Sequence, residues 1–371
     1  MDKKIKIALV FGTRPEAIKM CPLVKKLKSN PKFEVLTIVT AQHREILDSV
    51  LNLFEIKTDY DLNLMKPNQN LWNLSSEILL ETKKVFEKER PDLVLVHGDT
   101  TTAGLSALSA FYARVKIGHV EAGLRTFDKD YPFPEEINRV IVDSVSDLMF
   151  CPTDRALENI KNSGIKKGFY KTGNTVIDAL LYVVENKKAD LNFIGLNPNL
   201  KTILLTSHRR ENFGKPLENI CLAAKKLIEN NNDIEIVYPM HPNPNVRNTV
   251  LPILGGIDRI KLIEPLDYVP FCNLMKKSHI ILTDSGGVQE EAPALGVPVL
   301  VLRDETERPE AIEYGGVKLV GANTDKIVNT VQELLDNKNE YDKMSKAVNP
   351  YGDGHATEYI EKIILDHFNL N

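Results

Sequence analysis

Polar residues placed directly behind short apolar runs mark where this chain could do chemistry. Ile5 to Phe11 leads into Gly12-Thr13-Arg14-Pro15-Glu16, Leu93 to His97 into Gly98-Asp99-Thr100, and Lys116 to Val120 into Glu121-Ala122-Gly123-Leu124-Arg125. Farther on, apolar runs lead into His208-Arg209-Arg210-Glu211, His241-Pro242-Asn243-Pro244 and Asp284-Ser285-Gly286-Gly287. In open parallel sheets, ligands bind just beyond the carboxyl ends of strands. These loops would therefore present cations, acids and imidazoles to a ligand.

Ser285, Gly286 and Gly287 read as a strand-to-helix junction where free backbone N–H groups and close approach favour an anion such as a diphosphate. Glu291, about 9 Å farther along that helix at ~1.5 Å per residue, could meet ribose hydroxyls. A plain helix cap followed by a solvated acidic face accounts for the same letters. Arg14, with Lys19 one turn on, could hold phosphate oxygens or be an ordinary surface cation. Asp99 closes a strong apolar strand, so it either caps the next helix or lines a site. Glu121 carries a weaker signal. Glu135, in Pro134-Glu135-Glu136, stands at a helix start where the dipole favours acids in any case. His208 and His241, each at a strand end, could contact a ligand or carry a proton.

Several chemistries lack their sequence support. The dinucleotide pattern G-x-G-x-x-G, the loop G-x-x-x-x-G-K-S/T, G-x-S-x-G and H-E-x-x-H are all absent. Cys21, Cys151, Cys221 and Cys272 lie far apart, which suggests neither a metal site nor a disulfide framework. Charge is nearly balanced, with 47 Lys plus Arg against 51 Asp plus Glu, and no block of about five like charges is present. That balance argues against a nucleic-acid or membrane-surface partner. The first apolar run reads as a strand rather than a secretion signal, and no window is long and apolar enough for a membrane span. A soluble protein of the cytoplasm is expected.

What must position these loops is an alternation of apolar runs with helical patterns, the mark of β-α-β units and parallel sheets. Expected strands are Ile5 to Phe11, Phe33 to Val39, Leu93 to His97, Lys116 to Val120 and Leu148 to Cys151, with a helix over Leu71 to Arg90. A second series comprises Thr202 to Thr206, Ile234 to Pro239, Lys261 to Ile263, Ile280 to Thr283, Val297 to Leu302 and Val317 to Val320. The 371 residues suit two domains. The expected division is 1–186 for the first domain, a polar linker over 187–200, and 201–371 for the second. Each would be an α/β, doubly wound parallel-sheet domain, the two facing a cleft. The helical pattern from His355 to Phe368 closes the chain, and periodicity leaves open which domain it packs on.

Several of these segments, taken together, resemble the non-hydrolysing UDP-N-acetylglucosamine 2-epimerases. They are Gly12 to Met20, His97 to Thr100, His119 to Arg125, Pro134 to Arg139, His208 to Asn212 and Asp284 to Glu291. The resemblance runs in order over about Lys6 to Arg308. It implies two Rossmann-like domains of the glycosyltransferase-B type, a homodimer, and UDP held mainly by the second domain. The implied reaction is the cofactor-free interconversion of UDP-GlcNAc and UDP-ManNAc through a glycal, feeding surface polysaccharide or glycan synthesis. Asp99, Glu121, Glu135 and His208 match catalytic positions, with the direction of each proton transfer left open. Arg139 matches a further site position, and His241 and Glu291 flank the nucleoside. Gln42, His43 and Arg44 resemble a segment that, in bacterial members, binds a second UDP-GlcNAc as activator.

Other readings use the same loops. A glycosyltransferase explains the second domain but leaves the first-domain acids surplus. A hydrolysing relative would release free ManNAc and UDP, and a non-catalytic sugar-nucleotide binder would have no use for the acids.

Overall fold

A computed structural model describes residues 4–40, 44–66 and 69–370, the side chains of 44–46 excepted. The chain forms two compact units, 1–179 with 352–371, and 180–351.

The first unit contains β1 (Ile5–Phe11), α1 (Arg14–Ser29), β2 (Phe33–Val39), α2 (Arg44–Leu53), β3 (Tyr60–Asp61), α3 (Leu71–Glu89) and β4 (Leu93–His97). There follow α4 (Thr101–Tyr112), β5 (Lys116–Val120), α5 (Glu135–Val145), β6 (Leu148–Cys151), α6 (Asp154–Asn162), β7 (Phe169–Lys171) and α7 (Thr175–Asn186). Its seven strands lie in the order β3-β2-β1-β4-β5-β6-β7. Every pairing is parallel. Strand β4 is buried at every position and β1 at all but Lys6, as expected of central strands covered on both faces. The short edge strands β3 and β7 have no apolar run to announce them, and the sequence reading omits both.

The second unit contains β8 (Lys201–Thr206), α8 (Lys215–Asn230), β9 (Ile234–Pro239), α9 (Pro244–Leu254), β10 (Ile260–Ile263), α10 (Tyr268–Lys277) and β11 (Ile280–Thr283). It continues through α11 (Gly286–Glu291), β12 (Val299–Val301), α12 (Pro309–Glu313), β13 (Val317–Leu319), α13 (Thr324–Asp336) and α14 (Lys338–Ser345). Its six strands are ordered β10-β9-β8-β11-β12-β13, again all parallel.

The changeover between units falls inside α7, ahead of the 187–200 segment. The final helix, α15 (Ala356–His367), belongs to the first unit rather than to a second domain running to 371. Asp178 caps it, accepting from Ala356 N (3.2 Å), Thr357 N (2.8 Å) and Thr357 Oγ1 (2.7 Å). Lys26 of α1 and Asn30 at that helix's C-cap hold Glu358 and Glu361 in the first two turns of α15.

In both sheets the strand order reverses direction at one place, between β1 and β4 in the first and between β8 and β11 in the second. At such a point the helices leave on opposite faces and open a crevice at the carboxyl ends of the strands. The expected site loops gather at these two points.

Candidate active site

At the first reversal, Arg14 opens α1 and its guanidinium has no ion-pair partner among the described residues. Lys19, one turn along, pairs with Glu121. Glu121 follows β5 directly, in the left-handed region at φ 68°. A non-glycine residue held there is strained by about 1 kcal/mol or more and commonly marks a functional position. Its side chain is only 11% exposed, and His97 Nε2 lies 3.0 Å from Oε2. Burial pushes this carboxyl's pKa up, but the charges of Lys19 and His97 outweigh it and hold the group well below the usual range. Glu121 is therefore a largely buried carboxylate held between the Lys19 ammonium and the His97 ring.

Asp99 has different surroundings. Its Oδ2 accepts from Arg139 Nε (3.0 Å) and Nη2 (2.7 Å), and its backbone carbonyl accepts from Asn138 Nδ2 (2.9 Å). Arg139, expected as a substrate contact, thus faces Asp99. Its remaining nitrogen donates to Glu136 Oε2 at 2.8 Å. Glu136 also accepts from the amides of Thr126 (3.0 Å) and Phe127 (3.1 Å). Burial opposes its ionisation, yet these donors keep its pKa low. Glu135, the neighbouring acid and first residue of α5, is half-buried and makes no side-chain hydrogen bond or ion pair among the described residues.

Behind Asp99 lies a buried support. His119 Nδ1 lies 2.6 Å from Asp143 Oδ1 and Nε2 lies 2.8 Å from the Gly98 carbonyl, while Arg125 donates to Asp143 Oδ2 at 2.5 Å. Burial disfavours the Asp143 carboxylate, and His119 and Arg125 more than compensate.

At the second reversal, a cavity of 360 Å³ is lined by Thr206, His208, His241, Phe271, Ser285 and Val288. The His208 and His241 rings stack, with centroids 5.8 Å apart and planes at 14°. Burial lowers the His208 pKa, Arg209 and His241 push the same way, and Asp284 opposes them. Asp284, completely buried, organises the loop. Its Oδ2 accepts at 2.9 Å from Ser207 Oγ, His208 N, Arg209 N and Asn212 Nδ2.

Ser285 precedes α11, but its hydroxyl does not cap the helix. Ser285 thus holds the cap position without making the capping bond. Gly286 begins the helix, and a Cβ built there would lie 3.9 Å from Arg209 Nη2, so the guanidinium stands beside the glycine turn. Glu291, at the end of α11, is 8% exposed and accepts from Tyr268 OH at 3.4 Å. Burial, followed by the Glu291 charge, pushes the Tyr268 pKa well up.

Of the expected residues, the structure brings Lys19 to Glu121, Arg139 to Asp99, and His208 to His241, Ser285 and the glycine turn. Arg14 and Glu135 have no side-chain partner among the described residues. Gln42 and His43 lie outside the described residues, and Arg44 opens α2. Sequence reasoning gave no role to His97, Glu136, Arg209, Asp284 or Tyr268. His97 and Asp284 had a usable signal, since each sits at a strand end beside a selected residue. Glu136 and Tyr268 had none, because only folding brings their partners near.

Two all-parallel Rossmann-like units, each with its polar loops at its own strand reversal, constitute the glycosyltransferase-B type of fold. A family model described as UDP-N-acetylglucosamine 2-epimerase matches residues 25–365. The UDP-N-acetylglucosamine 2-epimerase of Campylobacter jejuni is 53% identical over 372 residues, covering 97% of this chain and 97% of its own. A solved UDP-GlcNAc 2-epimerase from Neisseria meningitidis, bound to UDP-GlcNAc, is 47% identical at a TM-score of 0.85, covering 98% of this chain and 100% of that one. The enzyme from Methanocaldococcus jannaschii, solved with UDP-GlcNAc and UDP, is 35% identical at a TM-score of 0.76, covering 98% and 100%. The chain belongs to the UDP-N-acetylglucosamine 2-epimerase family and is an isomerase.

Proposed function

We propose that this enzyme interconverts UDP-GlcNAc and UDP-ManNAc by eliminating and re-adding UDP, without hydrolysis and without a cofactor. A base removes the C2 proton while the C1–O bond breaks and its electrons leave with UDP, forming a C1=C2 glycal. UDP then adds back at C1 as a proton arrives at C2 from the opposite face. Such a path needs groups that stabilise the departing diphosphate and acids on both faces of the sugar. Arg14, Arg209, His208 and the Ser285-Gly286-Gly287 turn serve the diphosphate, with His241 and Glu291 at the nucleoside. Asp99, Glu121 and Glu135 carry the protons.

The observation that carries this reading is the set of three first-unit acids in unlike settings. Glu121 is held ionised beside Lys19 and His97, Asp99 is paired with Arg139, and Glu135 is unpaired among the described residues. A transferase acting from the nucleotide side alone has no use for that set.

Proton NMR of the protein with UDP-GlcNAc in D₂O, with nothing else added, tests the proposal. Formation of UDP-ManNAc with deuterium at C2 is expected. Free ManNAc and UDP would identify a hydrolase, and an unchanged spectrum would remove the epimerase reading.

The product would supply ManNAc-type sugars for surface polysaccharide or glycan synthesis in the cytoplasm. No helix among the described residues is long and apolar enough to cross a membrane. A homodimer is proposed through the α3–α4 face, where Trp72 (85% exposed), Leu80, Phe111 and Tyr112 stand in solvent beside an 870 Å³ groove. Sedimentation of the wild type against Trp72→Glu/Leu80→Glu checks it.

A further inference from the structure

Glu16 belongs to the Arg14 loop, yet neither the diphosphate contacts nor the proton transfers use it. It is 2% exposed. Its Oε2 accepts from the amides of Gly12 (3.0 Å) and Thr13 (2.7 Å), and its Oε1 accepts from the hydroxyl of Thr100 at 2.7 Å. A capping box alone would need one backbone amide, that of Thr13. The Gly12 amide and the Thr100 hydroxyl go beyond it.

Thr100 is itself the cap of α4, its Oγ1 accepting from Ala103 N at 3.1 Å. One carboxylate therefore joins the starts of α1 and α4, the two helices that leave the paired strands β1 and β4 at the first reversal. Those starts carry Arg14 and Asp99. The neighbourhood is closely packed: a Cβ on Gly12 would meet Thr40 Oγ1 at 2.0 Å, and Thr40 Oγ1 bonds to Thr102 Oγ1 at 2.9 Å. A shift of one loop cannot be absorbed there without disturbing the other.

We propose that Glu16 is a positioning residue that, with Thr100, latches the Arg14 turn to the Asp99 turn and sets the spacing of the diphosphate-binding cation and the proton-transfer acid. The latch rests on the epimerase reading for its catalytic consequence, though not for its existence. Misplacement by about 1 Å at such a site lowers turnover by roughly 10²-fold.

The full chain is made with Glu16→Ala, Glu16→Gln, Thr100→Ser, Thr100→Val and Glu16→Ala combined with Thr100→Val. For each, kcat, KM, UDP affinity and amide hydrogen exchange over residues 12–17 are measured. Glu16→Ala and Thr100→Val should each lose about 10- to 100-fold in kcat, with a much smaller loss of UDP affinity because most of the proposed diphosphate contacts lie in the second unit. Thr100→Ser, which keeps both donor and cap, should stay near wild type, and Glu16→Gln should restore most of the rate. The double variant should be little worse than either single one, because both break the same latch; losses that multiply would mean separate structural defects and overturn the proposal. Wild-type kcat in Thr100→Val would also overturn it. Should Glu16→Ala fail to fold, the Thr100→Ser and Thr100→Val pair carries the same test. Should the wild type show no epimerisation, the functional reading falls, and the latch is still decided by exchange. Faster exchange at Gly12 and Thr13 in Thr100→Val but not Thr100→Ser supports it, and equal exchange removes it.

Discussion

The two strand reversals have the same geometry and opposite chemical loading. At the first, cations and carboxylates are side-chain partners of one another: Lys19 with Glu121, Arg139 with Asp99 and Glu136. At the second, the completely buried Asp284 faces inward onto backbone amides, and imidazoles, Arg209 and a glycine turn stand around the cavity. A sheet reversal supplies only a crevice. Whether that crevice moves protons or holds an anion depends on whether its carboxylates point into it or are consumed in shaping its walls.

The largest effect should come from removing the acid that shapes the second crevice. Asp284→Ala leaves two part-buried backbone amides and a buried serine hydroxyl without their acceptor and takes from the Asn212 amide one of its two acceptors. Such orphaned donors destabilise by on the order of 4 kcal/mol in total. Urea unfolding followed by fluorescence should show this loss, with UDP binding failing alongside it. A stable Asp284→Ala variant that merely binds UDP weakly would move Asp284 into the ligand site and erase the contrast between the crevices.

At the first crevice the corresponding loss should be chemical. Asp99→Asn keeps the shape of the contact with Arg139, so turnover should fall by about 10²-fold or more, equivalent to ~2.7 kcal/mol of barrier, while UDP affinity stays nearly intact. Paired calorimetry and initial rates measure both. If affinity falls as far as turnover, Asp99 serves in holding the nucleotide and its place among the proton carriers is wrong.

The legibility of these sites in the sequence followed the same contrast. Central strands such as β4 announce themselves, because a strand buried on both faces is apolar throughout, and the residue after it, Asp99, is then conspicuous. The edge strands β3 and β7 carry Tyr60-Asp61 and Phe169-Tyr170-Lys171, which have no burial pattern to read. Crevice residues such as Arg14, His208 and Gly286, proposed as ligand contacts, were legible from their place behind a strand. Wall residues were not: Glu136 matters because folding brings Arg139 and the Thr126 amide to it, and Tyr268 because it meets Glu291 across 23 positions. Arg139 was found for its place in the motif, and the structure alone shows that it faces an acid.

The smallest expected effect separates the crevices by pH. His208 lies below its ordinary pKa of 6.5, chiefly through burial, with Arg209 and His241 adding to the shift and Asp284 opposing it. A histidine depressed in this way is neutral at pH 7. Its contribution to stability is present above the unfolded pKa and is lost as pH falls through the folded one, because the unfolded chain takes up the proton first. Bound diphosphate reverses the preference, since a dianion beside the ring favours the imidazolium. From about pH 7.5 to about pH 5.5, UDP affinity of the wild type should therefore rise relative to that of His208→Gln measured under the same conditions, the titration of UDP itself cancelling in the ratio. A ratio that stays flat would place His208 away from the diphosphate and leave Arg209 and the glycine turn as the anion site of the second crevice.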